Sequence, residues 1–174
     1  MQKKHRKFLL TKLSVLFSLL LTKTQKMATS VNKFFTKKQK AQIKHAIINA
    51  ELDTSGEIRV HIENNCEEEV LDRAAHWFRK LKMDKTELQN GVLFYLAVKS
   101  KKFAIVGDQG INKEVPENFW DEVKKLMGDK FKNEQFTEGL VEGIAMAGKL
   151  LKKHFPYHSD DINELSDEIS FGKN

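Results

Sequence analysis

The chain has 174 residues, 40% hydrophobic and 31% charged, the ordinary composition of one globular domain with a real core. Its formal net charge of +6 gives no ground for a nucleic-acid partner, because residues 1–26 hold seven lysines and arginines and no acid, leaving 23 basic and 24 acidic residues for 27–174. The single Cys66 excludes an internal disulfide and has no companions for a zinc site.

The first 32 residues read as a basic and apolar extension. Leu13 to Leu21 has the length of a signal-peptide core and falls short of the roughly 20 apolar residues that span a bilayer. Lys12 splits this run from Phe8–Leu10, and the following "TKTQKMATS" contains no small-x-small cleavage site. Three readings stand: a cleaved signal, a retained signal or membrane anchor, and sequence upstream of a true start at Met27. The expected location is cytoplasmic, with an anchored or exported protein as the alternative. Any membrane contact is assigned to residues 1–26.

A domain is expected over 33–156. Thr36 and Gln39 form a capping-box pattern, and Ile43, Ala46, Ile47 and Ala50 recur at helical spacing, predicting a helix over about 36–53. After "DTSG", Ile58, Val60 and Ile62 alternate with Arg59, His61 and Glu63, which predicts a half-exposed strand with Arg59 on its polar face. Val70, Leu71, Ala74, Ala75 and Phe78 restore a helical period over about 68–81. "GVLFYLAV" is a continuous apolar run of the kind a central, doubly covered strand requires. "KSKK" then turns it into "FAIVG" as an antiparallel hairpin. Pro116 suits the first turn of a helix over about 116–131. A last helix over about 135–154 carries Gly139, Gly143 and Ala147 at four-residue spacing, a smooth side that allows close approach. Residues 157–174 are acidic and poor in apolar side chains, which predicts a disordered tail.

The order α-β-α-β-β-α-α predicts an α/β fold, a three-layer α/β/α sandwich around a small mixed sheet. A right-handed crossover makes the first two strands parallel, and the hairpin then reverses the chain. The turns "DTSGE", "QNG" and "GDQG" therefore meet at one sheet edge. They bring together Asp53, Ser55 and Glu57, then Asn90, then Asp108, Gln109 and Asn112, with Gly56, Gly91 and Gly110 between them. Carboxylates mixed with amide oxygens suit a hard divalent cation such as calcium or magnesium. The same residues also read as plain turns, in which Asp53 and Asp108 cap, Gly56 and Gly110 supply positive φ, and Glu57 is solvated.

"TSGEIRVHI", "NGVLFYLAVKSKKFAIVGDQGIN" and "FTEGLVEGIAMAGKLL" together resemble the TPM domain, also described as a thylakoid acid-phosphatase-like domain. The resemblance covers about 35–155. It implies an α/β/α sandwich, a divalent metal near the turns and, in some members, weak acid-phosphatase activity on a phosphorylated small molecule. Glu57, Asn90 and Asp108 fall on turn positions of that pattern. Convergence and resemblance together nominate Asp53, Glu57, Asn90 and Asp108 as metal ligands, with Ser55, Gly56, Gly91, Gln109, Gly110 and Asn112 as site loops. Many members continue into a membrane segment and a Gly/Ser-rich tail, whereas this chain ends in a short acidic one. The sequence has no Cys-x5-Arg and no Asp-x-Asp-x-Thr, and a phosphatase needs a nucleophile or metal-bound water beside cationic groups. The alternative function is a non-catalytic module that binds a protein partner.

Overall fold

The computed structural model describes residues 15–16, 30–159 and 161–172. The N-terminal signal-like segment, and with it the choice between Met1 and Met27, lies outside the described residues except for Val15–Leu16. That pair forms β1 and adds antiparallel to β4, with Val15 opposite Phe103.

Helix α1 spans Lys37–Glu51 and begins where the capping box requires. The Thr36 hydroxyl accepts the Gln39 backbone N–H, and the Gln39 side chain accepts the Thr36 N–H, so two otherwise orphaned donors are satisfied. Strand β2 (Ile58–Glu63), helix α2 (Val70–Lys80), and strands β3 (Val92–Ala97) and β4 (Lys102–Gly107) follow. Helices α3 (Gln109–Glu114), α4 (Phe119–Lys132) and α5 (Phe136–His154) precede a short strand β5, Ser170–Phe171. The sheet order is β1-β4-β3-β2-β5, with β2 parallel to both β3 and β5 and the remaining pairs antiparallel.

Every residue of β3 is buried, as its unbroken apolar run requires. Val92, Phe94 and Leu96 face the core beneath α1, α4 and α5, while Leu93, Tyr95 and Ala97 face the smaller core beneath α2. The protein is thus a three-layer α/β/α structure. Helix α5 fits between two neighbours because its glycines leave room. A Cβ on Gly143 would sit 2.7 Å from the Met127 sulfur of α4, and one on Gly148 would sit 2.9 Å from the Ala50 Cα of α1. Among the described residues no helix is long and apolar enough to cross a membrane.

Three elements depart from the sequence pattern. Helix α3 is an added short helix after Asp108, so the helix expected from Pro116 starts at Phe119. Strand β2 is covered on both faces: Arg59 is half-buried and His61 and Glu63 are buried, because α2 and the C-terminal segment lie over the face expected to meet solvent. Where composition predicts a disordered tail, residues 161–172 run along the outer edge of β2. Few apolar side chains suffice there, because main-chain hydrogen bonds to β2 and to the Glu57 carboxylate hold the segment.

Candidate functional site

The parallel β2–β3 pair and the β3–β4 hairpin set the head of β2, the head of β3 and the end of β4 side by side. Main-chain bonds sew the three turns together. Val92 N–H donates to the Glu57 carbonyl at 2.8 Å, Asp108 N–H to the Gly91 carbonyl at 2.9 Å, and Gly110 N–H to the Gln89 carbonyl at 2.8 Å. The glycine at 110 serves this approach and not a positive φ. Its φ is not positive, and a Cβ there would lie 2.4 Å from the Leu88 carbonyl oxygen and 2.6 Å from that of Gln89. Gly56 likewise lacks a positive φ and leaves space for Leu151 of α5.

The first turn is braced from behind. Thr54 and Ser55 bond the Phe155 carbonyl at the end of α5, and Gly56 N–H donates to the Thr54 hydroxyl at 3.0 Å. Asn90 is wholly buried and donates its side-chain amide to the Ser55 carbonyl at 3.0 Å. Among the described residues its own Oδ1 is buried without a hydrogen-bond partner, and so is the Ser55 hydroxyl. Asp108 is 5% exposed and accepts the Gln109 N–H at 2.7 Å as the N-cap of α3.

The other nominated residues have separate places. Asp53 is exposed and pairs with Lys152 at 2.7 Å. Asn112 is engaged in structure, its amide donating to the Gly107 carbonyl and its oxygen accepting the Trp120 indole N–H. Gln109 and Gly110 form the first turn of α3. Glu57 is buried and accepts the backbone N–H groups of Glu164 and Leu165 at 2.8 and 3.2 Å. Burial raises its carboxyl to about 7, an effect those two N–H groups only partly offset.

Glu51, Arg59 and Asp167 join this flank, and of the three the sequence pattern places only Arg59 near the edge. Glu51, in the last turn of α1, accepts the Ile58 N–H at 2.6 Å through Oε1, and its carboxyl also meets the Asp167 side chain. Burial pushes its carboxyl up to about 8, and the nearby Glu57 and Asp167 add to the rise. Burial lowers the Arg59 guanidinium, opposed by the fields of Glu51, Glu57 and Asp167. The one available signal was Arg59 itself, since a strand arginine that is half-buried needs carboxylates nearby. A cavity of about 350 Å³ opens beside the flank, lined by Glu51, Glu57 and Asp167 and by the apolar Leu52, Tyr157 and Ile162 among others. Among the described residues no group of three or more His, Cys, Asp or Glu side chains is placed to hold a metal ion.

The TPM domain profile matches residues 29–150. The chain is 49% identical to the BA42 protein of the psychrophilic bacterium Bizionia argentinensis, whose NMR structure superposes with a TM-score of 0.77 over 84% of this chain and 100% of that one. It also shares its fold with the N-terminal domain of the cg2496 protein of Corynebacterium glutamicum, at 10% identity and a TM-score of 0.52, over 91% and 97% of the two chains. No curated protein matches.

Proposed function

The chain belongs to the TPM domain family, and from that premise we propose that its turn cluster binds a divalent cation, calcium or magnesium, through Asp108, Asn90 and Ser55, with Glu57 at its flank. The observation that carries this reading is Asn90. A buried carbonyl oxygen without a partner costs about 1–3 kcal/mol, and here a second orphaned oxygen, the Ser55 hydroxyl, belongs to the residue whose carbonyl Asn90 bonds. Hard cations take such mixed sets of carboxylate, amide, hydroxyl and water oxygens, so a cluster of three acids is not required. Asp53, paired with Lys152, is a less suitable ligand than the other three.

Acid-phosphatase activity is secondary in this reading. The cation would supply positive charge to a phosphoryl group. Arg59 is held in the field of three carboxylates and is poorly suited to bind a phosphate itself. A non-catalytic interaction module is the second reading, favoured by Leu52, Tyr157 and Ile162, three exposed apolar side chains gathered around one cavity.

Calorimetric titration of calcium and of magnesium into the chelator-stripped full chain decides the matter. Binding is expected in the wild type and loss of binding in Asp108→Asn. That variant retains an acceptor for the α3 cap, so its apo stability should change by less than about 1 kcal/mol. No heat from the wild type, or unchanged affinity in the variant, contradicts the cation site and leaves the interaction module.

A further inference from the structure

Among the described residues the large apolar side chains that stay exposed are Leu52, Leu88, Tyr157 and Ile162, and all four lie at the head of the sheet. Leu52 follows the last turn of α1, directly before the first turn of the site. The Tyr157 N–H donates to the Asp53 carbonyl in that turn. Leu88 precedes β3, where its carbonyl oxygen abuts Gly110, and the neighbouring Glu87 N–H donates to the side chain of Glu164, two residues beyond Ile162. Single scattered apolar residues need no explanation, but a gathering at one end of the molecule marks an interaction surface.

Leu52, Tyr157 and Ile162 border the cavity of about 350 Å³, and the charges of the same wall select its partner. Glu51, Glu57, Asp161 and Asp167 line it, whereas no lysine, arginine or histidine does.

We propose that this cavity is the docking site for a basic, apolar segment of a partner protein, whose lysine or arginine enters among the four carboxylates while its apolar neighbours cover Leu52 and Ile162. The proposal rests on the interaction reading above, gives it a class of partner and needs no bound metal. A lysine or arginine suits both parts of the wall, because its aliphatic stem packs on apolar surface while its charged head stays with the acids. Tyr157 adds an aromatic ring, which also favours a cation. An acidic segment would meet four like charges and is rejected. A free diamine would satisfy the acids but leave Leu52 and Ile162, 64% and 80% exposed, in water, so the rim selects a polypeptide over a small amine.

The test is an NMR titration of the full chain in chelator, which makes it independent of the cation reading. The probe is the capped peptide acetyl-Ala-Leu-Lys-Leu-Ala-Gly amide, compared with a version carrying Glu for Lys, a version carrying Ser for both Leu, and cadaverine. Saturable shifts are expected at the Leu52, Tyr157 and Ile162 amides, with the core amide of Phe94 unmoved. The glutamate peptide should bind at least about tenfold more weakly than the lysine peptide. The serine peptide and cadaverine should each bind at least about threefold more weakly. On the protein, Ile162→Ser should weaken the lysine peptide at least about threefold, and this exposed position tolerates the change without loss of the fold. Absence of shifts at the three amides up to millimolar lysine peptide, or unchanged affinity in Ile162→Ser, overturns the docking site. Equal binding of the glutamate peptide would keep an interaction surface but overturn its basic partner, and equal binding of cadaverine would overturn the docking segment in favour of a small amine.

Discussion

Two buried glutamates bracket strand β2, Glu57 just before it and Glu63 as its last residue, and they differ in every respect except burial. Glu57 and Glu63 are both 5% exposed. At the C-terminal end, Arg73 grips the Glu63 carboxylate with two hydrogen bonds of 2.6 Å, while Tyr95 and Trp77 donate at 2.5 and 3.2 Å. Burial alone would raise that carboxyl, but Arg73 and Tyr95 outweigh it and hold it below the ordinary value. At the head of the strand Glu57 receives only backbone N–H groups, shares Arg59 with other acids and is raised to about 7. Equal burial therefore gives pKa shifts of opposite direction, decided by whether a cation is dedicated to the group. The saturated end is structural. The unsatisfied end, beside the Asn90 and Ser55 oxygens that have no partner among the described residues, is where a ligand has something to gain.

The largest break in the comparison comes from Arg73→Met, which leaves Glu63 buried and uncompensated. Denaturant unfolding should show a loss of about 3–5 kcal/mol. Tyr95→Phe removes one hydrogen bond to the same carboxylate and should cost about 1.5–3 kcal/mol by the same measurement. The head of the strand should instead respond to pH. Carboxyls raised in the folded state stabilise it below their unfolded value of 4.5, and that stability disappears as pH rises through about 7 for Glu57 and about 8 for Glu51. Burial lowers His61 to about 3, an opposite effect that is complete by pH 6.5. Between pH 6.5 and 8, thermal or urea unfolding should therefore show declining stability, on the order of 1–2 kcal/mol, largely absent in Glu51→Gln. The smallest expected effect is that of Glu57→Gln. It should change global stability by less than about 1 kcal/mol while lowering hydrogen-exchange protection in residues 161–172, the strap on the β2 edge.

The meeting of the three turns at the unsatisfied end was legible in the sequence, whereas the cage around Glu63 and the flank formed by Glu51 and Asp167 were not. "GVLFYLAV" identifies the central strand, the Thr36–Gln39 pair marks the start of α1, and the strand order brings the three turns together, all from local signals. The strap leaves no such signal. Its docking rests on main-chain donors meeting a glutamate more than 100 residues away, and its three apolar anchors, Leu165, Ile169 and Phe171, follow neither helical nor strict strand period. Because the strap and α2 cover the polar face of β2, the alternation of Arg59, His61 and Glu63 imitates a half-exposed strand. Glu51 falls at the end of a helix, where an acid ordinarily faces solvent, and only the tertiary fold turns it toward Ile58 and Asp167. Asp53 shows the converse. Its place in the turn nominates it, but its side chain pairs with Lys152 of α5.

The central claim, that the unsatisfied end of β2 is the cation-binding end, is tested most directly by an NMR titration of calcium into the full chain. Saturable shifts are expected at Ser55, the Asn90 side-chain amide and Asp108, with Arg73, Trp77 and Tyr95 around Glu63 unmoved. Absence of shifts at the turn cluster up to millimolar calcium, or shifts centred on Glu63, would contradict it.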